Sequence, residues 1–338
     1  MPTIDADAHV IESEETWKYM EGLEAEFRPK LINAQNGKRT WLIDGREFPR
    51  GGNVNRKIPT DVLEMRDIEN RLRHMDELGI DIQVLYTSLF LRPLTSRPEV
   101  EVGLFRSYNR WLADVWRKAE TRLRWVAMVP LMSIDKSIEE ARFAKDNGGC
   151  GLFFRGLPVG NKLLSDPYYY PLYEEAAKLN LPICVHASTG DFNWLDLFEH
   201  ESGFAKFKLA PLSAFHAILH DGVPTKFPKL RFGFIEIRAQ WVPYAIVDIR
   251  KRFEQKGKQL SKDAMRENRI FVTCQTDDDL PYVLKYSGED NIVIGSDYGH
   301  QDTSAEIEAL RKLKAEGEVS PEAIDKILYA NAKALYGL

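Results

Sequence analysis

Eight short β-type runs, at residues 3–9, 82–87, 124–129, 151–155, 182–186, 231–236, 270–274 and 292–297, alternate along this chain with longer stretches of helical periodicity. Most of these runs are continuously apolar, with no inside/outside alternation, as in parallel strands buried on both faces. The helical stretches between them span residues 61–78, 99–120, 134–147, 168–179, 204–220, 242–253, 278–286 and 304–316. Eight such alternations predict an α/β fold, a single (β/α)8 TIM barrel domain over residues 1–338. A doubly wound sheet is the alternative use of the same elements.

A barrel of this kind needs roughly 250 residues, so a chain of 338 has residues left for insertions. Residues 33–60, after the first strand, carry the turn signals Asn36-Gly37, Asp44-Gly45 and Gly51-Gly52. They predict a small hairpin and loop over the C-terminal mouth of the barrel. A second insertion falls at residues 188–203, and Ser320-Pro321-Glu322 reads as the cap and first turn of a C-terminal closing helix.

Charge and composition narrow the partners. Lys plus Arg number 46 against 51 Asp plus Glu, a formal net charge of −5, so nothing draws the chain to a phosphate backbone and no nucleic-acid partner is expected. No run reaches the roughly 20 apolar residues that cross a bilayer, and the first residues, MPTIDADAHV, carry acids where a secretory signal carries bases. A cytoplasmic protein with no membrane partner is therefore expected. Cys150, Cys184 and Cys274 lie in or beside apolar runs and read as buried, reduced thiols.

The strand ends carry the chemistry. The first strand closes with Asp5-Ala6-Asp7-Ala8-His9, and a period of two puts Asp5, Asp7 and His9 on one face. The fifth ends in His186, the sixth in Glu236 and the eighth in Ser296-Asp297. Barrel enzymes gather their catalytic groups at these C-terminal ends. His, Asp or Glu at four of the eight points to a divalent metal, and mixed imidazole and carboxylate donors suit zinc, manganese or iron, as one or two ions. Arg155, ending the fourth strand, is placed to clamp a substrate carboxylate, with a salt bridge to a site acid as its structural alternative. Phe154, Trp194 and His300 join it as candidate substrate contacts, within an aromatic set that includes Phe153, Phe192 and Trp241. His216 and His220 have the spacing of a helical metal pair but are read as structural, and His74 and His200 as surface groups.

These residues carry a family resemblance from Ile4 to Leu338. Its motifs are Asp5-Ala6-Asp7-Ala8-His9, Gly151-Leu152-Phe153-Phe154-Arg155, Leu181-Pro182-Ile183-Cys184-Val185-His186 and Gly295-Ser296-Asp297-Tyr298-Gly299-His300, together with the closing run from Lys326 to Gly337. The chain resembles the amidohydrolase superfamily, in the branch containing aminocarboxymuconate-semialdehyde decarboxylase and γ-resorcylate decarboxylase. That resemblance implies a divalent metal on Asp7, His9, His186 and Asp297, with Asp297 relaying a proton. It also implies a metal-dependent hydrolase or lyase acting on a small carboxylated, aromatic or cyclic substrate, in a homodimer as is common among relatives. Two positions depart from the pattern: Asp7 stands where the superfamily's hydrolases have His, and Glu236 where the decarboxylases have a catalytic His. Counting Glu236 as a fifth ligand gives two His and three carboxylates, a set resembling non-haem iron or dinuclear carboxylate sites. An iron oxygenase on the same barrel is thus the alternative function. As a structural residue, Glu236 would be a buried acid paired with Arg238 or Arg155. Asp297, Glu236 and Arg155 are the candidate catalytic groups.

Overall fold

A computed structural model describes residues 2–34, 37, 39–50, 53–119, 121–301, 303, 305–315 and 319–338. Asn36, Gly51 and Gly52 of the expected insertion turns, and Glu120, Ser304 and Glu316 at expected helix ends, lie outside them.

Eleven strands form among the described residues. Strand β1 is Ile4–His9, and β2 (Lys30–Asn33), β3 (Arg39–Ile43) and β4 (Arg46–Pro49) make a small antiparallel sheet. Then follow β5 (Ile82–Tyr86), β6 (Leu123–Met128), β7 (Gly149–Phe154), β8 (Ile183–His186), β9 (Phe232–Ile235), β10 (Ile270–Cys274) and β11 (Ile292–Ile294). The larger sheet runs in the order β1-β5-β6-β7-β8-β9-β10-β11, every pair parallel, so each expected barrel strand is present. The ends meet where Asp297 N donates to Asp7 O (2.9 Å) and His9 N to Tyr298 O (2.7 Å). That contact makes a barrel and removes the doubly wound alternative, which would leave two open edges.

Continuous apolar sequence has the consequence expected of it: every residue of β1, β7, β8, β9, β10 and β11 is buried, with helices outside and side chains filling the interior. The helical stretches also form, with changes at their ends. The first breaks into Thr60–Leu63 and Ile68–Leu78 around Met65, whose φ of 56° a helix cannot accept. The stretch at 204–220 opens with a π turn, Ala205–Leu209, before the α-helix Ala210–His220. Of the stretch at 304–316, the helix occupies Ala309–Ala315.

The insertion after β1 folds as a three-stranded sheet, one strand more than the expected hairpin. Asp44 and Gly45 both take positive φ at the β3–β4 turn, the conformation that Asp-Gly favours. At the C-terminus, Ser320 caps its helix by accepting from Ala323 N (3.2 Å). The closing segment ends in Asn331–Tyr336, where Tyr336 Oη donates to Ala6 O (2.7 Å) and lies 2.8 Å from Tyr86 Oη, tying the terminus to the barrel. Cys150, Cys184 and Cys274 are all buried. No helix among the described residues is long and apolar enough to cross a membrane.

Candidate metal centre

His9 and His186 end their strands fully buried, and their tautomers follow from what each ring faces. His9 Nδ1 lies 2.8 Å from Thr87 O and His186 Nδ1 3.0 Å from Ala187 O. A carbonyl can only accept, so both Nδ1 atoms carry a proton and both Nε2 atoms are directed inward. There the carboxylates wait. His9 Nε2 is 3.5 Å from Asp7 Oδ1, 3.4 Å from Glu236 Oε2 and 3.3 Å from Asp297 Oδ1, while His186 Nε2 is 3.2 Å from Asp7 Oδ1 and 3.5 Å from Glu236 Oε2. The structure thus brings together Asp7, His9, His186, Glu236 and Asp297.

Two overlapping sets of four have their donor atoms within 4.8 Å of one another: Asp7, His9, His186 and Glu236, and then His9, Glu236, Asp297 and His300. His9 Nε2 is buried and makes no hydrogen bond to any described residue. Three carboxylates around a buried nitrogen lone pair repel one another unless a cation stands among them, so the donors fit a divalent ion. The same charge acts on His186. Burial pulls the His186 imidazole down, but the charge and hydrogen bond of Asp7, with Glu236 behind it, raise it to about 9. A bound dication would take the place of that proton. His9 is held well below its ordinary value by burial first and then by His300 and His186.

The backbone pays locally to present two of these acids. Glu236 (φ 61°) and Asp297 (φ 50°) sit in the left-handed region just past β9 and β11, at a cost of roughly 1–2 kcal/mol each. Glu236 N is fixed by donating to Thr273 Oγ1 (2.7 Å). Gly295 permits the close approach of β11 to β1, since a Cβ there would stand 2.3 Å from Asp7 Cβ. Asp5, expected on the same face as Asp7, does not join the centre. The β1–β5 register shifts between Asp5 and Ala8, and Asp5 instead accepts from Ser296 N (2.8 Å), Ser296 Oγ (2.5 Å) and Gln83 Nε2 (2.9 Å).

Several groups that the sequence reading passed over support this centre. Arg71, buried in the helix Ile68–Leu78, donates to Gln83 Oε1 (2.8 Å) and stacks 3.6 Å over the Tyr298 ring. Ser88 Oγ donates its one proton to Val10 O (2.8 Å), so it accepts from His300 Nε2 at 2.8 Å. The His300 Nδ1 then faces Asp297 Oδ1 at 2.8 Å, and a proton must lie between them. The signal for Ser88 was its position just past β5, another strand end.

Beside the centre opens a cleft of about 1170 Å³, bounded by Glu236 and His300, by Trp41 and Phe48 of the small sheet, by Trp241, and by Ser202, Gly203 and Phe204 at the end of the second insertion and the start of the stretch that follows it. His300 and Trp241 therefore lie where the sequence reading wanted them. Arg155 does not border the cleft. Its guanidinium is turned beneath the Leu89–Leu91 turn, donating to Arg92 O and Pro158 O (3.4 Å each), with Glu101 the first acid to act on it. Phe154 also points away, since Phe153 takes the inward side of β7, near the His186 ring, and period two sends Phe154 out against Tyr169 and Tyr173. Trp194, in the helix Phe192–Leu197, packs on Phe198 and donates to Ala205 O rather than facing the cleft. His216 and His220 stack on each other, bonded to Asp248 and Asp221, outside the centre. His74 is not a free surface group: its Nδ1 meets Tyr298 Oη at 2.8 Å. His200 is exposed.

Comparison with known proteins finds relatives in sequence and in fold. A curated 2-amino-3-carboxymuconate-6-semialdehyde decarboxylase of Dictyostelium discoideum is 26% identical over 149 residues, 44% of this chain and 39% of that protein. A 2-keto-4-carboxy-3-hexenedioate hydratase of Sphingobium sp. is 27% identical over 228 residues, 64% of this chain and 65% of its own. The chain thus spans less than two thirds of the length of each of these curated relatives. Among solved structures, an amidohydrolase from Mycobacterium avium subsp. paratuberculosis superposes with a TM-score of 0.82 at 19% identity, covering 99% of both chains, which is a likeness of fold. The family model described as amidohydrolase matches residues 4–338, and the chain belongs to that family.

Proposed function

We propose that this protein is a metal-dependent lyase or hydrolase acting on a small carboxylated, aromatic or cyclic substrate in the cleft beside Glu236 and His300. The observation that carries the reading is the convergence of Asp7, His9, His186 and Glu236 donor atoms within 4.8 Å, from three different barrel strands. The two curated relatives, a decarboxylase and a hydratase, are named for lyase reactions, which supports lyase chemistry over the iron-oxygenase alternative.

A divalent ion bound by Asp7, His9, His186 and Asp297, with Glu236 beside them, would supply Lewis acidity toward a substrate oxygen. The chain's own residues do the rest. Asp297 Oδ1 and His300 Nδ1 share a proton, and Ser88 Oγ holds the His300 ring, so the pair can give a proton to substrate or take one from it. Trp41, Phe48 and Trp241 offer apolar faces for a ring and displace water from it. The carboxylate clamp expected of Arg155 falls instead to the cations that border the cleft, Arg50, Arg92, Lys208 and Arg238.

Chelator-stripped protein reloaded with manganese, zinc or iron(II), and assayed on aromatic and cyclic carboxylates for carbon dioxide release, water addition and hydrolysis, tests the reading. Turnover should require the metal and vanish in His186→Ala. Equal turnover by metal-free protein would refute it, as would two irons per chain coupled to oxygen consumption.

A further inference from the structure

Three of the four cations on the cleft wall are already engaged by the protein. Arg50 is ion-paired with Glu64, Arg238 with Asp277 (2.7 Å), and the Lys208 ammonium lies 3.5 Å from Glu236 O. Arg92 differs. It follows the turn Leu89–Leu91 beyond β5 and borders the cleft, and among the described residues it makes no ion pair and its guanidinium gives no hydrogen bond. Burial lowers its basicity with no opposing acid to restore it.

A half-buried guanidinium that borders a cleft and meets no counter-charge among the described residues is placed to receive an anion arriving there. The backbone here is held for the purpose. Arg155 donates to Arg92 O (3.4 Å) and Thr189 N to Leu91 O (2.8 Å), so two neighbouring segments fix the turn from which Arg92 projects. Arg92 is not one of the metal-ligating donors, and Leu89, Leu91 and Ile11 border the same cleft. A volume of about 1170 Å³ is at the upper end for small-molecule sites, generous for a single ring.

Resting on the functional reading above, we infer that Arg92 is the specificity-determining anchor for a substrate carboxylate set apart from the metal-bound group. The substrate class is then an amphipathic carboxylate whose apolar body is larger than one ring. Arg92 holds the anion through the two parallel N–H donors of its fork, while the body lies against the apolar wall.

Binding of 1-naphthoate and of its uncharged analogue 1-naphthamide to the metal-loaded protein, by calorimetry, tests this without turnover. Wild type should prefer the carboxylate by about 10- to 100-fold, the strength of a charge-assisted pair. Arg92→Gln should lose that preference while binding the amide unchanged, and Arg92→Lys should keep part of it. Both variants should retain wild-type metal content and melting temperature, because the side chain makes no bond to the fold. The inference is overturned by a wild type with no preference, by a preference that survives Arg92→Gln, or by a melting temperature well below wild type in that variant. Repeating the comparison in chelated protein sharpens this: a preference that survives Arg92→Gln and disappears with the metal assigns the carboxylate to the ion. Metal-independent turnover would sink the proposed function yet leave an Arg92-dependent preference standing, so the two failures are distinguishable.

Discussion

Glu12→Gln should flatten the pH dependence of this protein's stability. Glu12 lies three residues past His9 on the wall of the cleft, 2% exposed, where its carboxylate accepts from Thr87 Oγ1, Ser88 N (3.3 Å) and Leu89 N (3.0 Å). Burial outweighs those three bonds and pushes the carboxyl from its ordinary 4.5 up to about 7. The folded protein therefore holds this proton more tightly than the unfolded chain does. Stability from this group is fully present below pH 4.5, falls as the pH rises through the window from 4.5 to 7, and is lost above it. A difference of about 2.5 pH units corresponds to about 3 kcal/mol, or about 5 °C in melting temperature for a chain of this length. The amide variant keeps an acceptor for Thr87 and Ser88 and turns its NH2 group on Leu89 N–H, a penalty that does not depend on pH. Asp5, raised to about 6, and Glu101, raised to about 7, are pushed up by burial in the same way, but both proteins contain them and they cancel in the difference. Urea unfolding of wild type and variant at several pH values, followed by tryptophan fluorescence, measures that difference. It should change by about 3 kcal/mol between about pH 4 and pH 8. Two parallel stability curves, separated by a constant offset, would refute the reasoning.

Two further outcomes are expected at the centre itself. Glu236→Gln should weaken metal binding by about 10- to 100-fold or more and leave the chelated protein at least as stable as wild type, because it removes one of three crowded carboxylates; titration with manganese and a melting curve check both, and unchanged affinity would remove Glu236 from the ligands. Gly295→Ala should disturb Asp7 through the 2.3 Å approach of the new Cβ and cost about 1–3 kcal/mol together with metal affinity, which metal analysis and melting read directly; wild-type affinity would show that β1 and β11 can separate without moving the ligand.

Much of the architecture was legible because it is local. Continuous apolar runs such as Phe232–Ile235 and Ile183–His186 read as strands covered on both faces, and the amphipathic stretches between them as the cover. The convergence of candidate metal donors was legible for the same reason. Asp7, His9, His186, Glu236 and Asp297 each stand at or just past the end of a run, where a parallel barrel gathers its side chains. The substrate contacts were less so. Arg155 looked equivalent to His186 in sequence, yet past β7 its side chain turns under a loop that belongs to β5 and serves Arg92. Phe154 failed on parity, since only the pairing of β7 with its neighbours tells which of two successive phenylalanines faces inward.

The sequence by itself determined the eight strands and their helical cover, the strand ends that carry candidate metal donors and the addresses of the insertions, because hydrophobic periodicity and strand-end chemistry are properties of short segments. The tertiary structure alone decided the closure into a barrel, which cations border the cleft, which acid stays out of the centre and which histidine stands against Asp297. Arg92, Asp5 and His300 are held in those places by partners 63 to 291 residues away, Arg155, Ser296 and Ser88. Contacts of that span exist only once Asp297 and Tyr298 meet Asp7 and His9 and the barrel closes.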